Sequence, residues 1–230
     1  MEWCIPLQKL EVSKVQIGSL YVQNVKGTKD KKPLAPLAYI DGQSVFQSLH
    51  ILLPHLTVES YDPLNGRLEI LIDSPQVVAK LQALQTSLLN TVSQQQVAWF
   101  GSNTLRKEDI QRFFQPMIEE KRLHLYCPIL HPPQEGVDGK RVLQNVTKVW
   151  SENIWYDGLR PGLLKAGQRV RIALQLQGIS LHIQNDAWTG RARLQHRILG
   201  ILVQGIKKQE KDKEKEKEKE KEKQEELLIE

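Results

Sequence analysis

Residues 170–203 read VRIALQLQGISLHIQNDAWTGRARLQHRILGILV, and this stretch decides the fold. A polar turn at Asn185 and Asp186 separates two long β-type runs. In the first, Val170, Ile172, Leu174 and Leu176 alternate with Arg171, Ala173, Gln175 and Gln177, the period of a half-buried strand. In the second, Arg191, Arg193, Gln195 and Arg197 fall on one side. Ala192, Leu194, His196, Ile198, Gly200 and Leu202 take the other, core-facing side. Successive strand side chains point to opposite faces, so the arginines line one surface at a spacing of about 7 Å, with Trp188 beside them near the turn. Guanidinium groups grip phosphate oxygens and an aromatic ring stacks on a base, so this face has the makings of a nucleic-acid track. A solvated sheet face needs polar residues in any case, which leaves the wider chain to weigh the two readings.

Upstream of this hairpin the pattern is mostly strand. Leu7 to Gln23 reads as strand and is followed by an exposed loop with Lys26, Lys29, Lys31, Lys32 and two prolines, and then by a strand from Ser44 to Leu53. Leu56 to Tyr61 and Arg67 to Ile72 bracket Asp62-Pro63-Leu64-Asn65-Gly66, a hairpin signal with Asn-Gly at the positive-φ positions. The period then changes. Ser74 is a good N-cap, Pro75 suits the first helical position, and Val77, Val78, Leu81, Leu84, Leu88 and Val92 recur at helical spacing, which predicts a helix over Pro75 to Val92. A shorter helix is expected from Leu105 to Phe114, opened by Asn103 or Thr104 and anchored by Phe113 or Phe114. Strands return at Leu123, Leu125 and Cys127 and again from Val142 to Trp150, with a Pro-Pro loop between at His131 to Gly139. Glu152 to Gly167 reads as a turn-rich connector.

Many short strands with two helices predict a mainly β fold. The simplest architecture is an OB-like Greek-key barrel with extra strands, and a sandwich is the alternative. Residues 1–206 form the expected domain. Residues 207–230 are a low-complexity Lys/Glu tail, expected to be disordered or a single helix. The tail ends in Glu225, Glu226, Leu227, Leu228, Ile229 and Glu230, either a short partner-docking motif or the end of a biased run.

The chain has 230 residues and a formal net charge of +5. The tail holds nine lysines against ten acids, leaving 23 basic and 17 acidic residues before it. That moderately basic balance fits a polyanion partner without demanding one. Cys4 and Cys127 alone fit reduced thiols better than a disulfide scaffold. With no signal-like hydrophobic start and no run near about 18 apolar residues, the expectation is an intracellular protein without a membrane span.

Catalytic signatures are missing from the sequence. It has no Walker loop, dinucleotide fingerprint, nucleophile elbow or HExxH motif. The histidines at 50, 55, 124, 131, 182 and 196 are scattered, so no cofactor or metal is expected. Glu69, Asp73, Asp109 and Asp157 could in principle hold a nuclease's magnesium, but any chain of this length offers as many acids. Binding is favoured over catalysis. Among the aromatics, Trp99 and Phe100 are assigned to the core, whereas Trp155, Tyr156 and Trp188 sit in turn-like contexts suited to exposed stacking. Lys148, on the strand that ends at Trp150, adds positive charge.

The sequence from Phe46 through SYDPLNGRLEILID, then AWFGSNTLRKEDIQRFFQPMI, LKAGQRVRIALQLQGISL and WTGRARLQHRILGILV, resembles the single-stranded DNA-binding proteins of nucleocytoplasmic large DNA viruses. These look distantly related to OB-fold single-strand binders of short-tailed phages. The resemblance spans roughly residues 44–203, with Leu176, Gly178 and Ile179 in the place of the family's leucine-glycine-isoleucine strand. Where relatives often have an aromatic after that strand's Gly-Ile pair, this chain has Ser180 and Leu181. The resemblance implies a non-catalytic protein that binds single strands during viral DNA replication, recombination or repair. It also implies a homodimer, replication proteins as partners through the C-terminal tail, and a place in the viral factory of the host cytoplasm, in the nucleus or in the virion. Arg171, Arg191, Arg193 and Arg197 would then track phosphates, with Trp188 and either Trp155 or Tyr156 stacking bases. The alternative is a structural or interaction protein, such as a virion component or assembly adaptor.

Overall fold

The computed structural model describes residues 4–24, 31–100, 106–129, 146–184 and 187–204. The expectations for Lys26 and Lys29, for a helix start at Asn103 or Thr104, for the 131–139 loop, for residues 142–145, for the turn at Asn185 and Asp186 and for the tail lie outside these residues. Strands come first in the chain: β1 (Ile5–Pro6), β2 (Val15–Ile17), β3 (Tyr21–Asn24), β4 (Lys31–Asp41), β5 (Ser44–Phe46), β6 (Leu49–Asp62) and β7 (Arg67–Leu71). Helices α1 (Pro75–Phe100) and α2 (Lys107–Phe113) follow. The remaining strands are β8 (Phe114–Gln115), β9 (Ile118–Glu119), β10 (Arg122–Tyr126), β11 (Lys148–Ser151), β12 (Ile154–Asp157), β13 (Arg169–Gln184) and β14 (Ala187–Val203). The fold is thus mainly β with two helices among the described residues.

Several boundaries move for identifiable reasons. The expected strand at Leu7–Gln23 is broken by two 3-10 turns, Leu7–Lys9 and Val12–Lys14. Lys31 and Lys32 belong to β4, not to a loop; β4 carries Pro33 and Pro36, residues usually read as strand breakers. Similarly, Pro54 splits β6 on paper, yet the strand continues because its register against β13 slips there: Arg171 faces His55 and Ala173 faces Leu52, so the proline sits at a bulge. Helix α1 runs past Val92 to Phe100, since Gln94 to Trp99 contains no breaker, Gln96 is buried and Trp99 packs partly against the core. The segment Glu152–Gly167 contains β12 as well as turns. Its hairpin with β11 turns through Glu152 and Asn153, at φ 51° and 64°.

Other expectations hold. Gly66 closes the β6–β7 hairpin at φ 63°, whereas Asn65, also expected at positive φ, does not adopt it. Asp62 caps that turn by accepting the Leu64 and Asn65 amides, and the Asn65 side chain holds its carboxyl below the usual range. Leu68, Ile70 and Ile72 are all buried. So are Val77, Leu81, Leu84, Leu88 and Val92, the stripe that α1 lays against the sheet. Phe114 anchors the end of α2 while Phe113 stays exposed.

The main sheet path runs β12-β11-β14-β13-β6-β7-β10-β9. One edge of β13 is shared, by β6 along Arg169–Leu176 and by β4 at Gly178–Ser180. Gly178 is needed there, because a Cβ at this position would lie 2.3 Å from the Ala35 carbonyl oxygen. β14 is shared in the same way, with β8 beside Ala192 and Arg193 and β11 beside Gly200 to Leu202, both parallel. Five strands in sequence, β14-β13-β6-β7-β10, curl until β10 and β14 meet. Their junction is a side-chain link: the Tyr126 amide donates to His196 Nε2 at 3.0 Å.

That link requires a neutral imidazole. Burial pushes the His196 pKa down, the Leu194 carbonyl pulls it partly back, and the Arg193 charge lowers it further. In the unfolded chain the group returns to about 6.5 and takes up its proton first as pH falls. Its contribution to stability is therefore complete above that value and is lost as pH falls toward the folded pKa. Thermal melts should show a drop in Tm between pH 7.5 and pH 5 that is shallower in His196→Gln; parallel profiles for the two proteins would refute the seam assignment.

Candidate nucleic-acid interface

The β13–β14 ladder sets which side chains share a surface. Ala192, Leu194 and Ile198 point into the core, opposite Leu181, Ile179 and Leu174. A bulge at Leu199 then shifts the register, Leu174 facing Ile198 and Ala173 facing Gly200. Beyond it Ile201 and Val203 are buried and Leu202 is 37% exposed. Strict alternation therefore assigns Leu202 to the wrong face: the extra residue turns it outward, onto the arginine side.

That outer face carries ordered cross-strand rows. Arg193 lies opposite Ser180, Gln195 opposite Gly178, and Arg197 opposite Gln175, which in turn faces His50 on β6. The floor drops at Gly200 and Ala173. The last row crosses five strands, Trp155, Trp150, Leu202, Arg171 and His55.

The expected site residues divide accordingly. Arg191 and Arg193 are exposed, Arg171 and Arg197 are half-buried, and all four lie on strands of this hairpin. Arg106, Arg122 and Arg169 each face an acid, Asp109, Glu59 and Asp73. Among the described residues, no acid pairs with Arg171, Arg191 or Arg193, and the buried Nε of Arg171 has no hydrogen-bond partner. Such a group is costly to leave unmet.

Two of the aromatic assignments are corrected. Trp188 is buried, 8% exposed, with its indole N–H donating to the Arg191 carbonyl at 3.1 Å, so it braces the hairpin end and presents no stacking face. Tyr156 points away from Trp155, as neighbours on a strand must; it packs partly against the core and Arg160 covers its ring at 5.3 Å. Lys148 is ion-paired with Asp157 across the β11–β12 hairpin, which reduces the charge it can offer. Trp155 keeps its expected role as an exposed ring, at 66%. It leans on Trp150 with ring centroids 4.8 Å apart and planes tilted by 56°, too close to admit a base between them. One face of Trp155 is left for stacking. Trp150 and Leu202 were not foreseen, because the register that brings them beside Arg171 depends on a parallel β11–β14 pairing that local pattern does not encode.

The acids considered as metal ligands are dispersed. Asp73, Asp109 and Asp157 each pair with a cation, and Glu69 accepts from Ser60 Oγ at 3.0 Å beside His124. Among the described residues no three His, Cys, Asp or Glu side chains are grouped to hold a metal ion. No helix among them is long and apolar enough to cross a membrane.

The two tryptophans should differ sharply on truncation. In chemical denaturation, Trp188→Ala should cost about 3 kcal/mol, the loss of a buried ring, and Trp155→Ala about 1 kcal/mol, mainly its contact with Trp150. Equal costs would contradict their assigned positions. No protein-family model, curated protein or solved structure matches this chain.

Proposed function

We propose that this protein is a non-catalytic single-stranded DNA-binding protein that uses the outer face of the β13–β14 hairpin. The observation that carries the reading is a set of guanidinium groups without acidic partners among the described residues, Arg171, Arg191 and Arg193, on the face that also presents Trp155. Arginines committed to fold stability find carboxylates, as Arg122 and Arg169 do; arginines held apart from acids are available to phosphates. Trp155 supplies a stacking plane that tolerates any base. The OB-like barrel belongs to the same proposal. It is supported by the five-strand curl from β14 to β10 and by bulges that bend the long strands β6, β13 and β14.

A structural or interaction protein is the second reading. It is favoured by β12, the outer end of the sheet path, where Ile154 and Trp155 are both exposed.

Titration of intrinsic tryptophan fluorescence with an oligothymidine of about 30 nucleotides separates the two. Binding should quench the emission with the single strand and not with duplex, and Trp155→Phe should remove most of the quench. Affinity should fall with salt at a slope of about 0.7 per neutralised phosphate. Replacing Arg191 and Arg193 together with alanine should weaken binding at least about tenfold and flatten that slope by about 1.4, with little change in Tm, because both side chains are exposed. Wild-type protein that neither quenches nor shifts the oligonucleotide in a gel would overturn the reading in favour of the structural one.

A further inference from the structure

The arginine face has a second exposed ring at its far end. Helix α2 finishes at Phe113, and the next two residues form β8, which pairs in parallel with β14: Phe114 beside Ala192, Gln115 beside Arg193. Phe114 and Ala192 are both buried, so Gln115 and Arg193 share the outer side. Phe113 immediately precedes this pairing, at the end of α2, which packs against β14. Phe113 is 42% exposed, and the Arg112 guanidinium lies 5.9 Å from its ring centroid. An exposed phenylalanine with a cation beside it, close to two arginines without acidic partners among the described residues, repeats the composition found around Trp155 and Arg171 at the other end.

We infer that Phe113, flanked by Arg112, is a second base-stacking point, so that the site is bipartite and one single strand runs from Phe113 along Arg191, Arg193 and Arg197 to Trp155. This rests on the proposed single-strand binding. The occupant follows from complementarity: a flexible polyanion carrying flat rings satisfies both the guanidinium row and the two aromatic ends, whereas an acidic peptide would leave the rings uncovered. The length of the track follows from the strand. Phe114, next to Phe113, is level with Ala192, and Trp155 is level with Leu202 through Trp150. About ten residues of β14 therefore separate the ends, roughly 30 Å. A stacked strand covers that distance in about nine nucleotides and an extended one in fewer, within the range of one OB-type site.

The test is a series of oligothymidines from about 4 to about 16 nucleotides, titrated against the wild-type protein, Phe113→Ala and Trp155→Ala. Wild-type affinity should climb steeply once the oligonucleotide is long enough to reach both rings, and then level off. Phe113→Ala should lose about fivefold to a hundredfold with the long oligonucleotides and should remove the climb, with an unchanged melting curve. As a direct reporter, Phe113→Trp in a Trp155→Phe background should regain quenching with long oligonucleotides. If Phe113→Ala binds every length as the wild type does, or the new tryptophan is not quenched while the wild type is, the bipartite site is wrong and single-strand binding stands. If the wild type binds no oligonucleotide, both fail.

Discussion

The antiparallel ladder between β13 and β14 is the constraint on which the rest of the molecule depends. Each strand offers its second edge to two further partners, β6 and β4 on one side, β11 and β8 on the other. A shift of one residue in this ladder would turn the arginines inward and the buried leucines and isoleucines out, so the hydrophobic pattern pins the register strongly. The bulges let two such long strands bend without losing it. One of them, at Leu199, also fixes the composition of the outer face by moving Leu202 onto it.

Around that ladder the sheet separates two kinds of chemistry. Its inner side is closed by α1 and by aliphatic residues from almost every strand. The outer side is where unpaired charge and exposed rings can persist, because water solvates them. Elsewhere Arg122 pairs with Glu59, Arg169 with Asp73 and Arg106 with Asp109, while Arg160 lies over Tyr156. Among the described residues Arg171, Arg191 and Arg193 have no acidic partner, and all three lie on the β13–β14 hairpin.

What was legible in the sequence was whatever depends on local period. Alternation located β13 and β14, Asn65-Gly66 located the β6–β7 turn, and the spacing from Val77 to Val92 located α1. The arginine face followed from alternation alone. What escaped depends on pairing between distant segments. Trp188 looks exposed beside a turn, yet it is buried and donates its N–H to the Arg191 carbonyl. Phe113 and Phe114 are indistinguishable as letters, and only the short parallel pairing of β8 with β14 makes one an anchor and the other a surface ring. Prolines misled for a related reason: Pro54 sits at a bulge that its partner strand creates, and β4 remains a strand through Pro33 and Pro36.

The position of β13 and β14 in the chain has a consequence for biogenesis. They are the last of the described strands to be synthesised, and they are also the ones to which β4, β6, β8 and β11 attach. While the protein is being made, the apolar faces of the earlier strands and of α1 therefore wait without their central partner. Completion depends on contacts that join residues more than a hundred positions apart, such as Ile51 with Leu174. Folding of this kind is slow and leaves sticky intermediates exposed, so the yield of native protein should be governed by how well the nascent chain is shielded until residue 203 has emerged.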